Sequence, residues 1–234
     1  MKYNIIGDIH GRKRWRELVK PDAINIFLGD YLDPYPEEGQ QLIAEEWGNL
    51  HDIMRFKREH PETVLLLGNH DLHYIWQEHS SRYNSMCAMM YNLYFKEHLA
   101  DFQLAYAIGD RALVTHAGVP DKWLRLAGME HLKSPQAIAD GLNSMLSGDL
   151  QLEKLTAGFS FEKGDYSGTS PTASPVWVRP ETLLEHNALP DCLQIVGHTQ
   201  VPELMRAENV CFCDCLGHAA QSLTIEPTTN NTQS

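Results

Sequence analysis

Five short stretches place side chains that can bind a metal directly after apolar runs: "NIIGDIHG", "IFLGDYLD", "LLLGNHD", "LVTHAG" and "IVGHTQ". They carry Asp8 and His10, Asp30 and Asp33, Asn69 and His70, His116, and His198. One such residue alone reads as a cap or a turn residue. Five stretches in succession, each with a glycine adjacent or nearby, describe one site assembled from distant parts of the chain. Asp8, His10, Asp30, Asn69, His116 and His198 together offer two carboxylates, three imidazoles and one amide oxygen. This mixed O/N set suits first-row divalent metals better than metals that prefer thiolates. Six protein donors are too many for one catalytic metal that must keep an open position. They match two metals that share a bridging carboxylate. The glycines permit sharp exits from the apolar runs and let a phosphate approach the backbone.

For these residues to meet, the apolar runs must be strands whose C-terminal ends share a rim, where layered α/β folds bind ligands. Strands are predicted at 2–6, 24–28, 63–67, 112–116, 193–196, 210–214 and 222–225. Helices are predicted at 12–20, 40–59, 85–99 and 135–146. Within 40–59, Ile43, Trp47, Leu50 and Met54 fall at i, i+4, i+7 and i+11, one apolar stripe. Ser134 is placed to cap the last helix, with Pro135 at its first position. Strands and helices alternate early and strands cluster late. The expected class is therefore α/β, a layered fold with central β-sheets flanked by helices and the metal site at the strand C-terminal ends.

The chain has 234 residues, 43% hydrophobic and 21% charged, an ordinary globular composition. No repeat and no Gly-, Ser- or Pro-rich linker divides it, so one domain is expected over 1–226. The last residues, 227–234, hold no apolar side chain after Pro227 and are expected to be a disordered tail. The net charge of −12 repels a phosphate-rich polymer, which argues against nucleic acid as a partner. A small phosphate substrate stays compatible, because bound divalent metals invert the local field. The start lacks a signal-peptide core and no run reaches membrane-span length, so a cytoplasmic protein without a membrane partner is expected. Five cysteines, an odd number, suggest reduced thiols. Those of "CFCDC" fall at i, i+2 and i+4, on one face of a strand. Zinc sites usually use C-x2-C turns, so small buried residues are the expectation here.

"GDIHG", "GDYLD", "GNHD", "THAG" and "GHT", in this order and spanning residues 7 to 199, resemble the calcineurin-like metallophosphoesterases. They are most similar to the branch of serine/threonine protein phosphatases and bacterial symmetrical dinucleoside-tetraphosphate hydrolases. The resemblance implies a hydrolase with two divalent metal ions, manganese first, with iron or zinc as alternatives. Its substrate would be phosphorylated: a phosphoprotein, or a small phosphoester or nucleotide. It implies that Asp8 and His10 bind the first metal, that Asp30 bridges, and that Asn69, His116 and His198 bind the second. His70 would be the general acid and Asp33 its orienting partner.

Several positions depart from the family's patterns. Pro34 and Tyr35 stand where the protein phosphatases have a phosphate-binding arginine and a glycine. Asp71 stands where most of that branch has Glu, and "GNHDLHYI" is closer to the dinucleoside-tetraphosphate hydrolases. Gln200 replaces the second His of the phosphodiesterase branches, which argues against a phosphodiesterase. Arg12, directly after "GDIHG", is a candidate for the missing phosphate contact. So is Arg179, in a "W-x-R" segment similar to one in bacterial phosphatases of this branch. His73 is expected behind the site or at the surface. The leading expectation is a phosphomonoesterase. A symmetrical dinucleoside-tetraphosphate hydrolase is the alternative, and a non-catalytic metal-binding scaffold is a third reading.

Overall fold

The computed structural model describes residues 1–76, 81–147, 160–162 and 165–226; the expected tail at 227–234 lies outside them. The apolar runs form two five-stranded sheets. The first holds β1 (Tyr3–Ile6), β2 (Ile24–Phe27), β3 (Val64–Leu66), β4 (Phe102–Gln103) and β10 (Leu223–Ile225), in the order β10-β1-β2-β3-β4. The second holds β5 (Ala105–Ile108), β6 (Ala112–Thr115), β7 (Leu193–Val196), β8 (Met205–Ala207) and β9 (Val210–Phe212), in the order β5-β6-β7-β9-β8. Strands β1 to β4 are parallel, and so are β6, β7 and β9; β10, β5 and β8 are antiparallel edges. Parallel pairing sends the central strands of each sheet to end on one side. Ile6 pairs with Phe27, so the chain leaves β1 toward Asp8 beside the place where it leaves β2 toward Asp30.

The period of two along each strand divides the apolar residues between two layers. Ile5, Ile26, Leu28, Leu66, Val114 and Ile195 pack together between the sheets. Ile6, Phe27 and Leu65 face the other way, onto a helical layer that includes Leu50, Ile53 and Phe95. Among the described residues the α-helices are α1 (Trp15–Leu18), α2 (Gln40–Glu59), α3 (Asn69–Trp76), α4 (Ala88–Glu97), α5 (Asp121–Leu126), α6 (Pro135–Ser144) and α7 (Pro180–Glu185). Ser134 caps α6 as expected: its Oγ accepts from the Ala137 N–H at 3.2 Å.

Helix α2 has the predicted bounds, but its buried face is rotated from the predicted stripe. Leu50 and Met54 are buried, whereas Ile43 and Trp47 are only half-buried; Glu46, Asn49 and Ile53 are buried instead. The reason is polar. Glu46 Oε2 accepts the Asp33 N–H at 2.7 Å, and Asn49 Oδ1 accepts from Trp15 Nε1 at 3.0 Å. The helix thus presents hydrogen-bonding groups to the loops that carry the rim residues. The helix expected over 12–20 is a single turn. Strand β9 stops at Phe212, so the three cysteines of "CFCDC" do not share one strand face. Cys211 and Cys213 join the layer between the sheets and Cys215 joins another cluster with Val196 and Phe212. All five cysteines are free thiols. Among the described residues no helix is long and apolar enough to cross a membrane.

Candidate active site

Several rim residues leave their strands in left-handed backbone: His10 (φ 42°), Asp30 (φ 50°), Asp33 (φ 59°) and His198 (φ 64°). That conformation costs a non-glycine residue on the order of 1–3 kcal/mol, so the surroundings must hold it. The exits of β1 and β2 bond to each other, His10 N–H to the Asp30 carbonyl at 2.6 Å and Gly11 N–H to the Tyr31 carbonyl at 3.0 Å. Asp71 then ties β2 to α3: Oδ2 accepts from the N–H groups of Asp30 and Gly68, both at 2.8 Å, and Oδ1 from that of Tyr31 at 3.0 Å. The carboxylate that departs from the family pattern is thus a loop clamp. His198 N–H donates to Asp8 Oδ2 at 2.8 Å, which joins the second sheet to the first.

The six expected ligands come together, and their hydrogen bonds define which atoms face inward. His10 Nδ1 donates to the Leu32 carbonyl at 2.9 Å and His116 Nδ1 to the Leu28 carbonyl at 2.8 Å, so each presents Nε2. His198 is reversed: Nε2 donates to the Trp177 carbonyl at 3.1 Å and Nδ1 faces the site. Carbonyls only accept, which settles each tautomer. Asp30 Oδ2 lies 3.5 Å from His10 Nε2 and 3.6 Å from His116 Nε2. Asn69 Oδ1 lies 3.0 Å from His116 Nε2 and 2.9 Å from His198 Nδ1. Ligand atoms of Asp8, His10 and Asp30 all lie within 4.8 Å of one another. Gly68 and Gly197 leave room for the two acids. A Cβ on Gly68 would sit 2.1 Å from Asp30 Oδ1, and one on Gly197 would sit 2.0 Å from Asp8 Oδ1.

This donor set fits divalent cations. Burial pushes the imidazoles of His10 and His198 well below their usual range and lowers His116 too, so all three favour the neutral, ligating form. Lone pairs of His116 Nε2, His198 Nδ1 and Asn69 Oδ1 then converge, an arrangement that repels unless a cation lies among them. Asp8 Oδ1 is buried and has no hydrogen-bond partner among the described residues. Burial, and next the neighbouring carboxylates of Asp214 and Asp30, push Asp8 well up. Burial also pushes Asp214 up to about 7. Burial would raise Asp30 as well, but attraction to any of His116, His70, His10 and His198 that carries a proton outweighs it and holds its carboxyl low.

Beside these donors stands a second cluster. His70 Nδ1 donates to Asp33 Oδ2 at 2.8 Å, and His73 Nε2 lies 2.8 Å from the same oxygen. Tyr74 Oη donates to Asp33 Oδ1. Burial would raise Asp33, but hydrogen bonds from His70 and His73 hold it below the usual carboxylate range. Asp33, His70 and His73 thus form one hydrogen-bonded cluster, with His73 buried behind Asp33 and not at the surface. The Nδ1 bond leaves His70 Nε2 pointing into the cavity.

That cavity, about 180 Å3, is lined by both clusters: His10, Asp30, Asn69, His70 and His198, with Tyr35, Ser81, Arg82, Trp177 and Arg179. Arg179 is held there by Nε to the Ser167 carbonyl at 3.1 Å and Nη1 to Thr199 Oγ1 at 3.3 Å. Arg12 is not among the lining residues. It is buried and its guanidinium binds Glu38 through two 2.8 Å bonds. Arg82 was not anticipated: its Nη2 lies 2.9 Å from His70 Nε2.

The calcineurin-like phosphoesterase family model matches residues 1–202. Among solved structures, the chain is similar to a cold-active protein-tyrosine phosphatase of a psychrophilic Shewanella species. The identity is 18% and the TM-score 0.58, with 96% of this chain and 75% of that one covered. It is also similar to a protein serine/threonine phosphatase from Saccharomyces cerevisiae, at 16% identity and a TM-score of 0.52, with 93% and 70% covered. At such identities the likeness carries the layered α/β fold, as expected from the strand and helix order. No curated protein matches the sequence.

Proposed function

Since this chain belongs to the calcineurin-like phosphoesterase family, we propose that it hydrolyses phosphomonoesters with two divalent metal ions. Membership makes it a metal-dependent hydrolase, and the reading as a non-catalytic scaffold gives way. Asp8, His10 and Asp30 would hold one ion; Asp30, Asn69, His116 and His198 would hold the other. Bound ions supply polarisation of the phosphoryl oxygens and a water acidified toward neutral pH. Manganese is our first choice, with iron or zinc as alternatives, because the donors are oxygen and nitrogen.

The chain's own residues do the rest. Asp33 accepts the His70 Nδ1–H and orients the ring; once Nε2 also carries a proton, that proton is aimed at the departing alkoxide. Arg179 offers a planar cation to the non-bridging oxygens. A single observation carries the reading: one cavity is lined by residues of both proposed metal positions and by His70. Its volume, about 180 Å3, is below the ~300–1,000 Å3 of typical ligand pockets. A phosphoryl group fits, and the leaving group stays outside. The two similar solved structures, a protein-tyrosine phosphatase and a protein serine/threonine phosphatase, support phosphoproteins as the substrate class.

The second reading, a symmetrical dinucleoside-tetraphosphate hydrolase, is favoured by the segment "GNHDLHYI" and by Pro34 in the arginine position. Manganese-loaded protein given phosphopeptides, an alkyl phosphate and a dinucleoside tetraphosphate separates the two. We expect metal-dependent release of inorganic phosphate from the monoesters. Cleavage of the dinucleotide alone would favour the second reading, and no activity on any phosphoester would remove both.

Arg179→Ala is expected to lower kcat/KM by roughly 10- to 100-fold, as the loss of charge-assisted hydrogen bonds implies. Metal content should be unchanged, because Arg179 is not a donor. Wild-type kinetics in this variant would place the phosphate contact elsewhere.

A further inference from the structure

We propose that Arg82 clamps the substrate phosphoryl group, a guanidinium brought from the segment before α4 to the place where Pro34 has no donor. The inference rests on the phosphoesterase reading. Its basis is where the guanidinium lies. Arg82 Nη1 donates to the carbonyl of Asp33, the carbonyl of the Asp33–Pro34 peptide bond. Nη2 lies 2.9 Å from His70 Nε2. A distant arginine therefore occupies the space next to residue 34.

Tyr35, the second departure from the protein-phosphatase pattern, makes the placement possible. Arg82 Cζ stands 3.7 Å from the centroid of the Tyr35 ring, which serves as a platform that a glycine cannot offer. The Tyr35 ring in turn meets the His10 ring edge-on at 5.1 Å. The backbone is held as well. Asn84 N–H donates to Tyr74 Oη at 2.9 Å, and Tyr74 Oη donates to Asp33. Arg82 itself is in left-handed backbone at φ 62°. Pro34, Tyr35 and Arg82 thus form one compensating set.

The neighbouring arginines are held differently. Arg12 is paired with Glu38. Arg179 lies over Trp177, 5.7 Å from its ring, and bonds Ser167 and Thr199. Arg82 forms no ion pair with a carboxylate among the described residues, so its charge remains available to an anion. Its Nη2 donates to His70 Nε2 in this state. A phosphoryl oxygen in the cavity would take that donor over, while the Asp33 carbonyl and the Tyr35 ring keep the guanidinium in place. Nε2 of His70 is then open toward the leaving oxygen. Planar, bidentate recognition of phosphate is what arginine does and lysine does not.

The test uses the full chain loaded with manganese and two variants, Arg82→Met, which keeps the stem, and Arg82→Lys, which keeps the charge. Binding of inorganic phosphate is measured by calorimetry, and metal content and nitrophenyl phosphate kinetics are measured alongside. Arg82→Met should bind phosphate about 10- to 100-fold more weakly, with a matching loss in kcat/KM and two metals retained. Arg82→Lys should recover only part of this. Phosphate affinity equal to wild type in Arg82→Met would overturn the clamp and leave the phosphoesterase reading intact. Loss of metals together with phosphate would overturn it in favour of a structural role. Wild-type protein that binds no phosphate and cleaves no phosphoester would sink the function proposed above and the clamp with it.

Discussion

Asp30→Asn is expected to hold fewer than two divalent ions per chain and to lose activity on every phosphoester. Its Oδ2 stands near imidazole nitrogens of both proposed metal positions, 3.5 Å from His10 Nε2 and 3.6 Å from His116 Nε2. The amide removes a shared negative charge and turns an N–H2 group toward lone pairs. The fold should survive, because Asn Oδ1 can still accept the His70 N–H that Asp30 Oδ1 accepts at 2.9 Å. Losing even a group that only orients a ligand lowers metal affinity about 10- to 100-fold. Losing a ligand common to both ions should cost more, and at both positions together. Equilibrium dialysis with manganese reads this directly. Two ions bound at wild-type affinity would refute the shared ligand.

His70→Asn should behave in the opposite way, keeping metals and losing turnover. The backbone N–H that binds Asp30 belongs to any residue at position 70, so the donor set is undisturbed. What disappears is the imidazole whose Nε2 faces the cavity, and general-acid catalysis contributes roughly 10²–10⁴-fold. The loss should appear in full with an alkyl phosphate, whose leaving oxygen needs a proton. It should be much smaller with nitrophenyl phosphate, whose leaving group departs as an anion. Equal losses on the two substrates would show that His70 does not donate the proton. Asp33→Asn would be the less clean experiment, since Asp33 accepts from His70 and Tyr74 and contacts His73.

The proposed ligands could be picked out in the sequence because each follows a run that reads as a strand without knowledge of the rest of the chain. The central strands β1, β2, β3, β6, β7 and β9 all lie within the predicted runs. The edges β4, β5 and β8 did not show, because each is only partly buried and no fully buried apolar run marks it. Helix α3 was hidden for a different reason. "LLLGNHD" looks like a strand ending in a turn, yet Asn69 already begins the helix. Had that helix been recognised, the three-residue spacing of His70 and His73 would have placed both rings on one face, toward Asp33. Arg82 had no local signal at all. It sits in the polar stretch "HSSRYNSM", with neither motif nor period. The clue was indirect: Pro34 removes a donor, so a cation must come from somewhere, and only arginines beside motifs drew attention. The buried polar face of α2 was invisible because Glu46 and Asn49 answer to loops far away in sequence.

Gly68 and Gly197 turn the crowding at the two acids into a statement about heredity. Every missense change one base from a glycine codon installs a Cβ. At these two positions that atom would fall about 2 Å from Asp30 Oδ1 and Asp8 Oδ1. A carboxylate would have to leave its place, so a substitution as mild as alanine removes the centre without altering any donor. Gly48, where a Cβ would meet nothing within 4 Å, lies inside α2 and gains helix propensity from the same change. In a library of random variants selected for activity, codons 68 and 197 should therefore be purged as thoroughly as those of the histidines, while codon 48 drifts. More positions can inactivate the enzyme than take part in its chemistry.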